Sequence, residues 1–299
     1  MVKRTVTGII MAGLLFLILW IVGLGEHTLL VFDFLVLFMG AVATFEIAGA
    51  VKKADVLRKD ETKGYRISKI SLAVMVIATF PLTYFFGYIG LLFALLISFI
   101  VAFVEFIFRS ERTFNDFAVN VFSLIYPMFI LGLIFVMDRR YGMIPVLLAM
   151  GISTISDAAA YWVGILFGKK KIFPKISPKK TYAGCLGGLL GGALGGIIVY
   201  LIFELGEFPT YIDFTFTELG LPVLWYALIG LILAFFSEIG DLAASRVKRS
   251  VGIKDYGKLL GSHGGVLDRI DSILFTTVCM AIIMGIIEIA GYFDVTVIV

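Results

Sequence analysis

Long apolar stretches dominate the chain and are separated by short polar connections. Nine windows reach the ~18 residues that distinguish a membrane span from a buried core helix. They cover residues 5–24, 28–50, 67–86, 88–108, 117–137, 143–168, 184–203, 221–244 and 269–291. Hydrocarbon offers the backbone no hydrogen bonds, and no window alternates in polarity as a barrel strand does. The pattern therefore predicts an all-α membrane protein, a polytopic helical bundle with about nine transmembrane helices.

Composition supports this class. Hydrophobic residues make up 60% of the 299 and charged residues only 16%, whereas soluble domains carry about 25% charge. Both cysteines, Cys185 and Cys279, lie in apolar runs. That placement excludes a disulfide framework or a cysteine-rich metal site and predicts two small buried side chains.

The cations predict the orientation of the bundle. With nine spans, all of the 25 lysines and arginines except Arg139 and Arg140 fall on one side, and the acidic 204–220 loop falls on the other. Positive residues stay cytoplasmic, so the N-terminus is expected inside. No linker interrupts the chain, which predicts a single integral membrane domain over 1–299, with N-terminal helices in 1–140 and catalytic helices and cytoplasmic loops in 143–299.

Ionisable groups inside spans are costly and are candidates for function. Four carboxylates stand alone among apolar neighbours and are expected to make interhelical hydrogen bonds or to lie at helix ends: Asp33, Glu46, Glu105 and Glu288. The glycines between Gly184 and Gly196 recur every three or four residues, which favours close helix packing. The alternative to close packing is that this glycine run forms the wall of the site on the substrate side.

In two other segments, carboxylates within a span are followed directly by a loop rich in lysine and arginine. In the first, Asp241, Ser245 and Lys248 share a helical face. After it, Gly264 and Gly265 allow a close turn that exposes amides at a helix N-terminus, where anions are favoured.

Three aspartates of this first segment, Asp241, Asp268 and Asp271, are expected to converge. Such a group beside lysine and arginine is typical of a Mg²⁺ site that holds a polyphosphate. His263 is expected to orient a phosphate oxygen or to act as an acid.

The second segment runs from Asp157 to Gly184. Asp157 and Tyr161 share a helical face, and Gly168 can end that helix. A proline-fixed loop then offers hydroxyls and cations suited to a triphosphate: Ser177, Lys179, Lys180 and Thr181.

Together the two segments resemble the phosphatidate cytidylyltransferase (CDP-diacylglycerol synthase) family over about 155–275. The family signature is filled here by Ser245, Lys248, Arg249, Lys254, Asp255, Gly257, His263, Gly264, Gly265, Asp268, Arg269 and Asp271. Two positions depart from the family pattern. Ala183 replaces an acidic residue or Gln, and Gly261-Ser262 replaces the usual Pro-Gly before the histidine. Neither departure removes a proposed metal ligand.

The resemblance implies an enzyme that transfers CMP from CTP to phosphatidic acid, giving CDP-diacylglycerol and pyrophosphate with Mg²⁺. Catalytic roles are expected for Asp241, Asp268, Lys248, Arg249 and His263. Metal binding is expected at Asp241, Asp268, Asp271 and Glu238. Substrate contacts are expected at Asp157, Tyr161, Ser177, Lys179, Lys180, Thr181, Ser245, Lys254, Asp255, Gly264, Gly265 and Arg269.

Other readings and partners remain open at this point. A CTP-dependent polyprenol or phytol kinase would transfer the γ-phosphoryl group instead, and an ion-coupled transporter would use the aspartates as a relay. The expected partners are CTP, phosphatidic acid and the bilayer of a prokaryotic-type inner membrane, with the active site facing the cytoplasm and no nucleic acid. A second cation and a homodimer are left open.

Overall fold

A computed structural model describes residues 26–54, 64–174, 176–206, 221–261 and 264–291. The chain is helical almost throughout this part. The helices are α1 (Glu26–Lys52), α2 (Lys69–Phe108), α3 (Phe114–Leu124), α4 (Ile130–Tyr141), α5 (Met143–Phe167), α6 (Tyr182–Val199), α7 (Pro222–Ser250) and α8 (Leu267–Ile289). Within these described ranges, seven helical segments are long and apolar enough to cross a membrane, with 114–141 counted as one.

Two of these segments contain a short π-helical stretch. Ile125–Phe129 joins α3 to α4, and Tyr200–Glu204 extends α6. The first stretch includes Pro127, which has no N–H to donate to the preceding turn. A wider turn accommodates this lost hydrogen bond without ending the helix.

Helix α2 turns back on itself at Gly87, whose φ of 56° and ψ of −131° are not helical. A Cβ added to Gly90 would lie 1.8 Å from the carbonyl oxygen of Leu82. In a straight helix these two residues would be about 12 Å apart along the axis. The 40 residues of α2 therefore form two arms, as the predicted division between 67–86 and 88–108 requires.

Each predicted span from residue 28 onward corresponds to a helix or to one arm of α2. The predicted span 5–24 lies outside the described residues, so the total of nine stays a prediction. The all-α class is confirmed with one addition. The segment expected to be a loop holds a small antiparallel hairpin of β1 (Lys171–Phe173) and β2 (Ser177–Thr181), in which Lys171 pairs with Thr181.

The chain divides into two compact units, one comprising 1–135 with 250–269 and the other 136–249 with 270–299. In the first unit, polar side chains join the start of α2 to α3. The amide of Ser68 donates to Asn120 Oδ1 at 2.9 Å, and that of Arg66 donates to Asp116 Oδ1 at 2.8 Å. Thr113 and Asp116 form a capping box at the start of α3.

In the second unit, the glycines of α6 allow close helix packing. A Cβ on Gly196 would lie 2.0 Å from the carbonyl oxygen of Tyr226 in α7, and one on Gly191 would lie 2.4 Å from Ala159 Cβ in α5. Only glycine permits these backbone distances. The prediction that the glycines between Gly184 and Gly196 allow close helix packing is confirmed.

This packing predicts the effect of one methyl group. Gly196→Ala should lower the free energy of unfolding by about 1–3 kcal/mol, because the new Cβ overlaps a backbone oxygen that cannot rotate away. Thermal unfolding in detergent measures the change. Gly285→Ala is the matched control, since a Cβ there meets no atom within 4 Å. Equal stability of the two variants would contradict the packing argument.

Candidate active site

Four carboxylates from three helices of the second unit form a cluster, called here the carboxylate cluster. Its members are Asp157 on α5, Glu238 and Asp241 on α7, and Asp271 on α8. Asp157 interacts electrostatically with Asp241 and Glu238, and Asp271 interacts with Asp241 and Asp157. The three helices α5, α7 and α8 therefore meet at these carboxylates.

Lys180 joins the hairpin to α7. Its Nζ lies 2.9 Å from Asp241 Oδ2 and 3.1 Å from Glu238 Oε2, and it donates to the Glu238 carbonyl oxygen at 3.2 Å. Burial by itself would lower the pKa of Lys180, but the carboxylates of Asp241 and Glu238 outweigh this cost and leave the pKa raised. Lys180 therefore stays a cation at neutral pH.

The hairpin decides which lysine reaches the cluster. Consecutive residues of a strand point to opposite faces, so Lys179 and Lys180 cannot both turn toward α7. Lys180 contacts the cluster, while Lys179 is exposed. The two lysines, predicted together as substrate contacts, thus occupy different surroundings.

Thr181 ends the hairpin and begins α6. Its hydroxyl accepts a hydrogen bond from the amide of Gly184 at 3.1 Å, and the residue is only 2% exposed. The Thr181 hydroxyl is therefore the N-cap of α6. A Cβ on Gly168 would lie 2.5 Å from Thr181 Oγ1, so glycine at the end of α5 leaves room for the cap.

The α8 side of the cluster has its own cation and donors. Lys248 Nζ lies 3.5 Å from Asp271 Oδ2. Ser272 donates through its hydroxyl to Asp157 Oδ2 at 3.0 Å and through its amide to Asp271 Oδ1 at 3.0 Å. Ser272 thereby ties α5 to α8 beside the cluster.

Further polar contacts hold the three helices in place. Ser153 on α5 and Ser237 on α7 share a hydrogen bond of 3.1 Å, and Thr276 on α8 donates to the carbonyl oxygen of Ala149 at 2.7 Å. Cys185 donates from Sγ to Glu238 Oε2 at 3.1 Å. The expectation that Cys185 would be buried is wrong, because the residue is partly exposed, whereas Cys279 is buried as expected.

The described residues of the signature loop, 251–261 and 264–266, belong to the first unit together with the start of α8. Asp268 Oδ2 accepts hydrogen bonds from the amides of Tyr256 at 2.8 Å and Gly265 at 2.9 Å. Gly264 has a φ of 82°, a left-handed conformation that favours glycine. The amide of Gly265, predicted to face a phosphate, thus donates to a carboxylate in the first turn of α8.

The remaining predicted residues occupy several environments. Ser177, Ser245 and Asp268 are partly exposed, and Gly264 and Gly265 are buried. Tyr161, Arg249, Lys254, Asp255 and Arg269 are exposed. His263 lies outside the described residues. Asp241 and Asp268 belong to different units, so their convergence stays a prediction.

No group of three or more His, Cys, Asp or Glu side chains in the described parts of the chain has the arrangement needed to hold a metal ion by itself. The oxygen donors of the carboxylate cluster nevertheless suit Mg²⁺, which binds through one or two carboxylates and completes its shell with substrate phosphates. When all four carboxylates are ionised, Lys180 and Lys248 leave two negative charges uncompensated. Mg²⁺ would supply the two positive charges that compensate them.

Sequence reasoning gave no site role to Glu46, Cys185 or Ser272. Glu46 Oε2 accepts a hydrogen bond from the amide of Leu267, 2.9 Å away. The only local signal for Glu46 was its charge within an apolar helix.

Two more of the isolated carboxylates have partners as expected. Glu105 pairs with Arg112 at 2.9 Å and Arg109 at 3.3 Å. Glu288 on α8 accepts hydrogen bonds from Arg140 and Tyr141 at the end of α4.

Comparison with known proteins agrees with the family resemblance of the two segments. Residues 2–287 match the sequence profile described as the cytidylyltransferase family. A phosphatidate cytidylyltransferase of Bacillus subtilis (strain 168) is 30% identical over 286 residues, covering 92% of this chain and 94% of the relative. One from Mycobacterium bovis is 30% identical over 259 residues, covering 81% and 79%, and one from Staphylococcus epidermidis is 32% identical over 187 residues, covering 62% and 66%. With its apolar helices, the chain is an integral membrane protein that belongs to the cytidylyltransferase family.

Proposed function

We propose that this enzyme makes CDP-diacylglycerol from CTP and phosphatidic acid by Mg²⁺-dependent transfer of CMP. Family membership and the names of the curated relatives support the substrates and the place in phospholipid biosynthesis. The observation that carries the chemistry is the carboxylate cluster with Lys180 bound between Glu238 and Asp241.

In the proposed reaction, a phosphate oxygen of phosphatidic acid attacks the α-phosphorus of CTP. The new oxygen–phosphorus bond forms as the bond to the β-phosphate breaks, and pyrophosphate leaves in line with the attacking oxygen. Little covalent help from the protein is needed, because positioning and charge neutralisation supply most of the catalysis in such transfers. When bound, Mg²⁺ would neutralise charge on the phosphates.

Asp241 and Glu238 are the proposed metal ligands among the described contacts of α7, with Asp271 beside them. Lys180 Nζ lies within 3.1 Å of both α7 carboxylates, so it is placed to contact a phosphate that shares the metal. Lys248, next to Asp271, is proposed as a second phosphate contact. Ser272 holds Asp157 by its hydroxyl and keeps that carboxylate directed toward the cluster.

The proposal places the active site at the cytoplasmic face of a bacterial inner membrane. The lysines and arginines that flank the spans support this orientation, since positive residues are retained inside. Bacterial relatives support the type of cell.

Labelled nucleotides separate CMP transfer from phosphoryl transfer. With purified protein, phosphatidic acid and Mg²⁺, label in the α-phosphate of CTP should enter the lipid fraction, and label in the γ-phosphate should leave as pyrophosphate. The reason is that attack at the α-phosphorus retains the nucleotide. Thin-layer chromatography of the lipids measures both, with protein-free membranes as the blank. Lipid carrying the γ-label alone would indicate a kinase and contradict the proposal.

Metal binding should depend on the nucleotide. Because the described carboxylates do not form a complete cage, CTP oxygens should strengthen Mg²⁺ binding by replacing water molecules in the shell of the metal. Mg²⁺ and CTP together should raise the melting temperature more than the sum of their separate effects. At a ligand concentration of 100 times Kd, the corresponding gain in the free energy of unfolding is about 2.7 kcal/mol. Differential scanning fluorimetry in detergent measures this.

Asp241→Asn tests the ligand assignment. This variant should lose the joint effect of Mg²⁺ and CTP, and its rate should fall by about 10²-fold, as when an electrostatic stabiliser is removed. Glu105→Gln is the control, because it measures the general cost of losing a paired carboxylate within a span. A near-normal rate in Asp241→Asn would show that the ligand assignment is wrong.

Labelling of single introduced cysteines tests the orientation. Lys258→Cys should react with a membrane-impermeant maleimide only after the membrane is opened, and Arg139→Cys should react in intact spheroplasts. Both positions are exposed, so a lack of reaction reports sidedness and not burial. The parent chain measures the background from Cys185 and Cys279. The reverse pattern would place the active site outside.

A further inference from the structure

Glu46 on α1 reaches the start of α8, 221 positions further along the chain. Its Oε2 accepts a hydrogen bond from the amide of Leu267, the first residue of α8, at 2.9 Å. The amides of a first helical turn have no partner within the helix. A carboxylate there satisfies one of them and interacts favourably with the helix dipole.

The carboxylate of Glu46 also fills the space beside two glycines of the signature. A Cβ on Gly257 would lie 2.2 Å from Glu46 Oε1, and a Cβ on Gly265 would lie 2.4 Å from each carboxylate oxygen. For both glycines, the three nearest atoms all belong to Glu46. The small residues at these two positions therefore leave room for a side chain from a distant helix.

Gly265 connects Glu46 with Asp268. The residue packs on the Glu46 carboxylate and donates its amide to Asp268 Oδ2 at 2.9 Å. Asp268 also accepts from the amide of Tyr256 at 2.8 Å. A shift of Glu46 would thus move Gly265 and the helix start together, and with them the hydrogen bonds that hold Asp268.

We propose that Glu46 is a positioning residue for the CMP-transfer reaction, because it fixes the signature loop at Gly257 and Gly265 and caps α8 at Leu267. It acts through Asp268, to which the family resemblance gives a metal-binding role. This inference rests on the proposed function.

Three substitutions separate geometry from charge. Glu46→Gln keeps an oxygen at the same distance for the Leu267 amide, so kcat should stay within about threefold of the parent. Glu46→Asp keeps the charge but is one methylene too short, and Glu46→Ala removes the cap. Both should lower kcat ~10-fold or more, as expected for misplaced catalytic groups, with KM for CTP within about threefold.

A double-mutant cycle tests the packing. Gly265→Ala alone should lower kcat at least ~10-fold, because its Cβ overlaps the Glu46 carboxylate. In the Glu46→Ala background the overlapping atoms are gone, so the same change should lower kcat less than threefold further. Glu105→Gln is the matched control for the Glu46 variants, because it changes another carboxylate within a span of the same unit. Thermal unfolding of every variant gives the folded fraction used to normalise kcat.

Several results would overturn the inference. One is normal kcat in both Glu46→Asp and Glu46→Ala. Another is retention in Glu46→Asp with loss in Glu46→Gln, which would make the charge decisive. Additive effects in the cycle, or a lower melting temperature with unchanged kcat of the folded fraction, would reduce Glu46 to a structural role. Failure of the parent chain to make CDP-diacylglycerol would instead refute the proposed function, so the two failures are distinguishable.

Discussion

A carboxylate on a membrane-spanning helix is costly unless a cation or a hydrogen-bond donor lies beside it, and contacts that offset this cost join elements in both compact units. In the second unit, Lys180 pairs with two carboxylates of α7, Lys248 pairs with Asp271, and Ser272 donates to Asp157. Each of these contacts joins different elements, so the charges that serve the chemistry also hold the helices together.

The same cations give the site its electrostatic character. Two lysines among four carboxylates leave the cluster short of positive charge when all are ionised, and a magnesium nucleotide brings a divalent cation. Glycines on α6 make this density possible, since a Cβ on Gly188 would lie 2.7 Å from Glu238 Oε1. A larger residue at that position would displace the carboxylate.

The signature is continuous in sequence but contributes to both units. Ser245, Lys248 and Arg249 belong to the second unit, residues 254–269 belong to the first, and Asp271 belongs to the second again. Two of its three glycines are explained by a residue outside the motif, because Gly257 and Gly265 both face Glu46. A motif of this kind records contacts with distant helices as well as direct roles in the reaction.

The sequence by itself determined the helical class, the bounds of eight spans to within a few residues, the turn near Gly87 and the family. These features depend on local properties, since the hydropathy of a window and the spacing of a motif can be summed along the chain. Only the tertiary structure decided that Lys180 and not Lys179 reaches α7 and that Glu46 caps α8. Such pairings depend on which side chains packing brings together across up to 221 positions, and no local pattern encodes that distance.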